Sequence, residues 1–115
     1  MNDYELAIKR CKKLEALLAE GFAAEGKGLH QKVTSVEGRL PPPLVKRLRF
    51  IATIRNKLVH DEDYERIDDP AGFRDACDAA ERELQALLRP ARTGCLAWAA
   101  GLIVLGAALA ALTTG

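Results

Sequence analysis

Cysteine is scarce and scattered. The three residues Cys11, Cys77 and Cys95 form no Cys-x-x-Cys pair and no Cys/His cluster. That argues against a structural zinc site of the usual ligand spacing. An odd, dispersed set is no disulfide framework either, which fits a reducing compartment. Aromatic side chains make up 5% of the sequence, with a single Trp. The stacking motif of sheet-based RNA-binding modules is missing. No stretch alternates apolar and polar residues well enough to read as a sheet. At 115 residues there is no room for two domains. The 17 Lys/Arg and 16 Asp/Glu nearly cancel, so information lies in where the charges stand. All of them precede residue 93; residues 93–115 carry none. Residues 2–20 are charged throughout, so no leader peptide is expected there.

What is present is helical periodicity, in four segments. The first is predicted from about Asp3 to about Ala19, with Asn2 as cap and Glu5 three residues on, as in a capping box. Tyr4, Ala7, Cys11, Leu14 and Leu18 form its apolar stripe. The glycines at 21, 26 and 28 then break the pattern. The second is predicted from about Leu29 to Glu37, with Leu29, Val33, Val36 and Leu40 facing inward. His30 lies beside that stripe and reads as a boundary or surface histidine rather than a second active-site imidazole. The third opens after Pro41-Pro42-Pro43, with Pro43 as a first-turn residue. Leu44, Leu48, Ile51, Ile54 or Arg55, and Leu58 mark its inner face. The fourth starts at Asp69-Pro70 and stops around Arg89-Pro90, with Phe73, Cys77, Ala80, Leu84 and Leu87 inward. Four such stripes joined by short connections imply a helical bundle. Roughly ninety residues make a modest core, to which dimerisation would add.

Cys95 through Leu112 is an uninterrupted apolar run, long enough to cross a bilayer. Arg89 and Arg92 stand before it, and positive flanking charge favours the cytoplasmic side. The expectation is a tail anchor in the inner, cytoplasmic membrane over residues 95–112, with the bundle facing the cytoplasm. The domain division is therefore 1–90 for the bundle and 91–115 for the anchor.

The third helix closes on Ile54-Arg55-Asn56-Lys57-Leu58-Val59-His60. An Arg-x4-His spacing joins a permanent planar cation that fits phosphate oxygens in pairs to an imidazole that exchanges a proton near neutral pH. In an ideal helix five steps of about 100° rotate His60 well away from Arg55. The two converge only if the helix loosens near His60 or if two subunits supply opposite members. Arg55 also falls close to the buried seam, where a guanidinium needs an anion or a carboxylate partner.

Arg55-Asn56-x-x-x-His60 at the end of the third of four helices resembles the signature of HEPN domains, over roughly residues 1–90. The resemblance implies an all-α, four-helix HEPN-like bundle, here followed by a transmembrane helix. It further implies a metal-independent endoribonuclease acting as a homodimer, with two Arg/His pairs facing each other, in a toxin or antiphage-defence role. The 2′-hydroxyl of RNA would attack the adjacent phosphorus and leave a cyclic phosphate. His60 would act as general acid or base, Arg55 would hold the phosphate, and Asn56 would bond the phosphate or orient His60. No metal or cofactor is expected: the acidic run at 61–69 lacks EF-hand spacing and its glycine. HEPN toxins silenced by a nucleotidyltransferase carry Arg-x4-His-x-Tyr. Tyr64 stands two positions beyond that tyrosine, which puts such regulation in doubt, and a regulatory partner stays open.

Between Gly38 and His60 every charged residue is basic, whereas Asp61, Glu62, Asp63, Glu65, Asp68 and Asp69 follow with only Arg66 among them. Arg39, Lys46, Arg47, Arg49 and Lys57 are therefore candidates for following an RNA backbone; the alternative is a solvated face whose charges pair with the loop. Base stacking would rest on Tyr4, Phe50, Tyr64 or Phe73. Two other functions compete with ribonuclease: a non-catalytic, membrane-tethered dimerisation or sensor module, and a small membrane-disrupting toxin.

Overall fold

The computed structural model describes residues 2–89. They form four α-helices: α1 (Asp3–Phe22), α2 (Gly28–Val36), α3 (Pro42–His60) and α4 (Pro70–Leu88), with a short 3-10 turn at Glu37–Arg39. The described residues contain no strand. This is the all-α bundle expected. Helices α1 and α3 each pack against the other three, while α2 and α4 flank them and have at most marginal contact with each other. The central pair supplies half of the twenty buried apolar residues, and α3 carries the Arg-x4-His motif in its last two turns.

The helix ends follow local chemistry. Asn2 accepts from the Glu5 amide at 2.8 Å and Glu5 returns the bond, completing the capping box. α1 runs past Gly21 to Phe22, three residues beyond the predicted end. A mid-helix glycine costs about 1 kcal/mol, and burying a phenylalanine returns about 1.5–3 kcal/mol; Phe22 is buried. Ala23, in the left-handed region at φ 56°, then closes the helix. Gly26 turns the chain at φ 117°, where an added Cβ would meet Gln31 Cβ at 2.6 Å. Pro42, rather than Pro43, opens α3, and the Pro41 carbonyl accepts from Leu44 and Val45 at 3.0 and 3.1 Å. Asp69 caps α4 through the Gly72 amide at 3.0 Å.

The four stripes meet in one core. Leu14, Leu18, Val33, Leu44, Leu48, Ile51, Phe73 and Leu84 are fully buried. Ile54 and Leu58 pack partly against it. Two stripe assignments need correction: Tyr4 and Leu87 are 49% and 46% exposed, because Leu6 takes the inward place at the start of α1 and Leu88, not Leu87, lies against Gly21 at the end of α4. Ile67, in the loop before α4, joins the core instead, and its amide donates to Asp3 Oδ2 at 2.8 Å. That bond ties the acidic loop to the start of α1. No helix among the described residues is long and apolar enough to cross a membrane. The predicted span 95–112 and its flank, with Arg92, Cys95 and Trp98, lie outside them.

Candidate functional site

Helical geometry puts Thr53, Asn56, Lys57 and His60 on one face of α3, since positions three, four and seven apart are neighbours. That face, with His30 from α2 and Asp61, Glu62 and Asp63 from the following loop, lines an open groove of about 570 Å³. α3 remains helical through His60 and ends at Asp61, whose extended backbone and carboxylate, accepting from the Asp63 amide at 3.0 Å, turn the chain away. The helix does not loosen, so Arg55 and His60 stay about 140° apart around its axis.

Arg55 is half-buried on the neighbouring face and is not among the groove residues. Its Nη1 donates to Asn56 Oδ1 at 3.1 Å. A guanidinium has no acceptor, so the amide oxygen must face it, and the Asn56 nitrogen with its two N–H bonds is left for the groove. Arg55 thus reaches the groove through Asn56. Within one subunit the structure brings Asn56 and His60 together and leaves Arg55 one residue behind.

The basic candidates divide. Arg47 pairs with Glu83 at 2.5 Å and Arg49 with Glu37 at 3.3 Å. Arg39 donates to the Phe22 carbonyl, with its guanidinium 5.9 Å from the Phe22 ring centre. These arginines tie helices and turns together, and their partners are on α1, α2, α4 and the 3-10 turn, not in the acidic loop. Lys46 is exposed on α3. Lys57 lines the groove, its ammonium 5.3 Å over the Tyr64 ring. Of the stacking candidates, Phe73 is fully buried and unavailable, whereas Tyr4 and Phe50 are each 49% exposed. The Tyr64 hydroxyl is buried with no hydrogen-bond partner among the described residues.

His30 is a boundary histidine, as expected, but the sequence did not show which surface it borders. It is half-buried, as a boundary histidine should be, yet it lines the same groove as His60. Burial pushes its pKa down, and the positive charge of Arg49 adds to that. Only a packing of α2 against α3 could reveal this, and the spacing of two separate helices carries no such signal. Among the described residues no group of His, Cys, Asp and Glu side chains could hold a metal ion. Cys11 and Cys77 are buried free thiols, each pushed up to about 12, chiefly by burial. They belong to the core rather than to chemistry.

No protein-family model, curated protein or solved structure matches this chain.

Proposed function

We propose that this chain is a membrane-anchored, metal-independent endoribonuclease of HEPN type, working as a dimer in a toxin or antiphage-defence role. The observation that supports this best is the groove on α3, where His60 and the Asn56 amide face one space and Arg55 fixes which way that amide points. The 2′-oxygen of the ribose attacks the phosphorus while His60 takes its proton. The P–O5′ bond breaks, a 2′,3′-cyclic phosphate forms, and the 5′-oxygen takes a proton from the second imidazole that a dimer supplies. The Asn56 N–H bonds stabilise charge on the phosphate oxygens. Arg55 acts as a positioning residue within its own subunit. Phe50, exposed three residues before Thr53, gives α3 apolar area for a second copy to cover.

A second reading, a non-catalytic tethered interaction module, draws on the acidic rim: Asp61, Glu62 and Asp63 line the groove and oppose a polyanion there. Expression of the wild type and of His60→Ala in cells, scoring growth and RNA integrity together, separates the two. The ribonuclease reading expects RNA loss and growth arrest from the wild type alone. Intact RNA with both proteins would favour the interaction module.

A further inference from the structure

Among the groove residues with no part in the chemistry above, His30 on α2 and Thr53 on α3 meet side chain to side chain. His30 Nε2 lies 3.4 Å from Thr53 Oγ1, and His30 Nδ1 lies 3.5 Å from Arg49 Nη1. Both contacts are long, but the direction in which each can run is decided by chemistry. A guanidinium only donates, so Nδ1 must offer it a lone pair and the imidazole proton must sit on Nε2. Nε2–H then donates to Thr53 Oγ1, and the hydroxyl hydrogen is free to turn into the groove. Arg49 cannot easily leave this position. Its Nη2 also donates to Thr34 Oγ1 at 3.1 Å and to Glu37 Oε2 at 3.3 Å, and its Nη1 to the His30 carbonyl at 3.5 Å.

The donors lie on the helix side of the groove: the Thr53 hydroxyl, the Asn56 amide and the Lys57 ammonium. The carboxylates of Asp61, Glu62 and Asp63 lie on the loop side. An anionic oxygen therefore finds its partners along α3. We propose that Arg49, His30 and Thr53 form a relay that aims the Thr53 hydroxyl at a non-bridging phosphate oxygen of RNA seated in this groove. Thr53 touches the substrate and His30 is a positioning residue. The assignment rests on the ribonuclease reading for the identity of the ligand. In this arrangement His30 stays neutral and exchanges no proton. Burial and Arg49 both disfavour its protonated form; of the other charged or titratable residues lining the groove, Lys57 and a protonated His60 act in the same direction, and Asp61, Glu62 and Asp63 in the opposite one.

The test uses the full chain in detergent micelles and a 2′-O-methyl RNA oligonucleotide, which binds as RNA does but has no 2′-hydroxyl to attack. Thr53→Val, which keeps the shape and removes the hydroxyl, should weaken binding about ten-fold or more, while Thr53→Ser should hold near wild type. His30→Gln, which keeps a neutral N–H donor, should retain more affinity than His30→Ala. Nitrogen NMR of the wild-type imidazole should show His30 protonated at Nε2 alone at pH 7. Equal affinity of wild type and Thr53→Val, or a proton on His30 Nδ1, would overturn the relay whether or not RNA is cut. A wild type that binds the oligonucleotide through Thr53 but leaves ordinary RNA whole would instead sink the ribonuclease reading and keep the relay. A wild type that does not bind the oligonucleotide would end both.

Discussion

Arg55 and Asn56 are one step apart on α3 but meet different surroundings, a half-buried seam and an open groove, joined by a 3.1 Å hydrogen bond. Arg55→Ala should therefore free the Asn56 amide to flip and lower the cleavage rate constant more than it weakens binding of RNA. A change in KM alone would assign Arg55 a plain binding role. Position 30 makes a separate prediction. Its pKa is lowered by burial and by Arg49, so the unfolded chain binds the proton more readily than the folded one. The stability tied to His30 is fully present above the unfolded value near 6.5 and is lost as pH falls through that value toward the lower folded one. Denaturant midpoints measured from pH 7.5 to 5.5 should show a shallower decline in His30→Gln than in wild type; parallel curves would contradict it. Cys11 and Cys77, held near 12 by burial, should resist alkylation at pH 8 until denaturant is added, as followed residue by residue with mass spectrometry. Rapid labelling in the folded state would show that the core opens. The motif residues were legible because their types and spacing are local. The juxtaposition of His30 and Thr53 was not, since it depends on how α2 meets α3.

At the scale of elements, α3 and the loop after it are fixed from both sides. The stripe Leu44, Leu48, Ile51 read directly from sequence, because a period of three and four defines a face whatever lies opposite. Leu48→Ala should cost about 2–5 kcal/mol by denaturant unfolding, in line with other buried leucine truncations; a loss below about 1 kcal/mol would mean the site collapses to fill the space. The loop was harder to read. No periodicity in its acidic run points inward, yet Ile67 is buried and its amide is held by Asp3 across 64 positions of sequence. Asp3→Ala should cost about 1–3 kcal/mol by leaving that amide without its carboxylate, and should loosen the groove rim at 61–63. The start of α1 was legible from its capping box, but its C-terminal end escaped the reading, because glycine's local preference lost to the burial of Phe22. The partners of the basic-strip arginines were hidden in the same way: Arg47 and Arg49 find carboxylates on α4 and the 3-10 turn that no local pattern announces.

For the molecule as a whole, the proposed function asks of the bundle that α3 hold one imidazole and one oriented amide in a common groove, and of a second copy that it complete the proton transfers. The bundle carries an ion-pair cluster away from that groove, where Arg10 reaches Asp78 at 2.5 Å and Glu81 at 2.9 Å and Lys13 reaches Glu81 at 3.1 Å. It joins α1 to α4, so loss of His60 at the exposed end of α3 should leave folding intact within about 0.5 kcal/mol. That separation of fold from chemistry makes one measurement decisive: RNA cleavage by the purified full chain in EDTA, wild type beside His60→Ala. The account predicts fragments ending in 2′,3′-cyclic phosphate from the wild type and none from a fully folded His60→Ala. Equal cleavage by both proteins, or none by either, would contradict it.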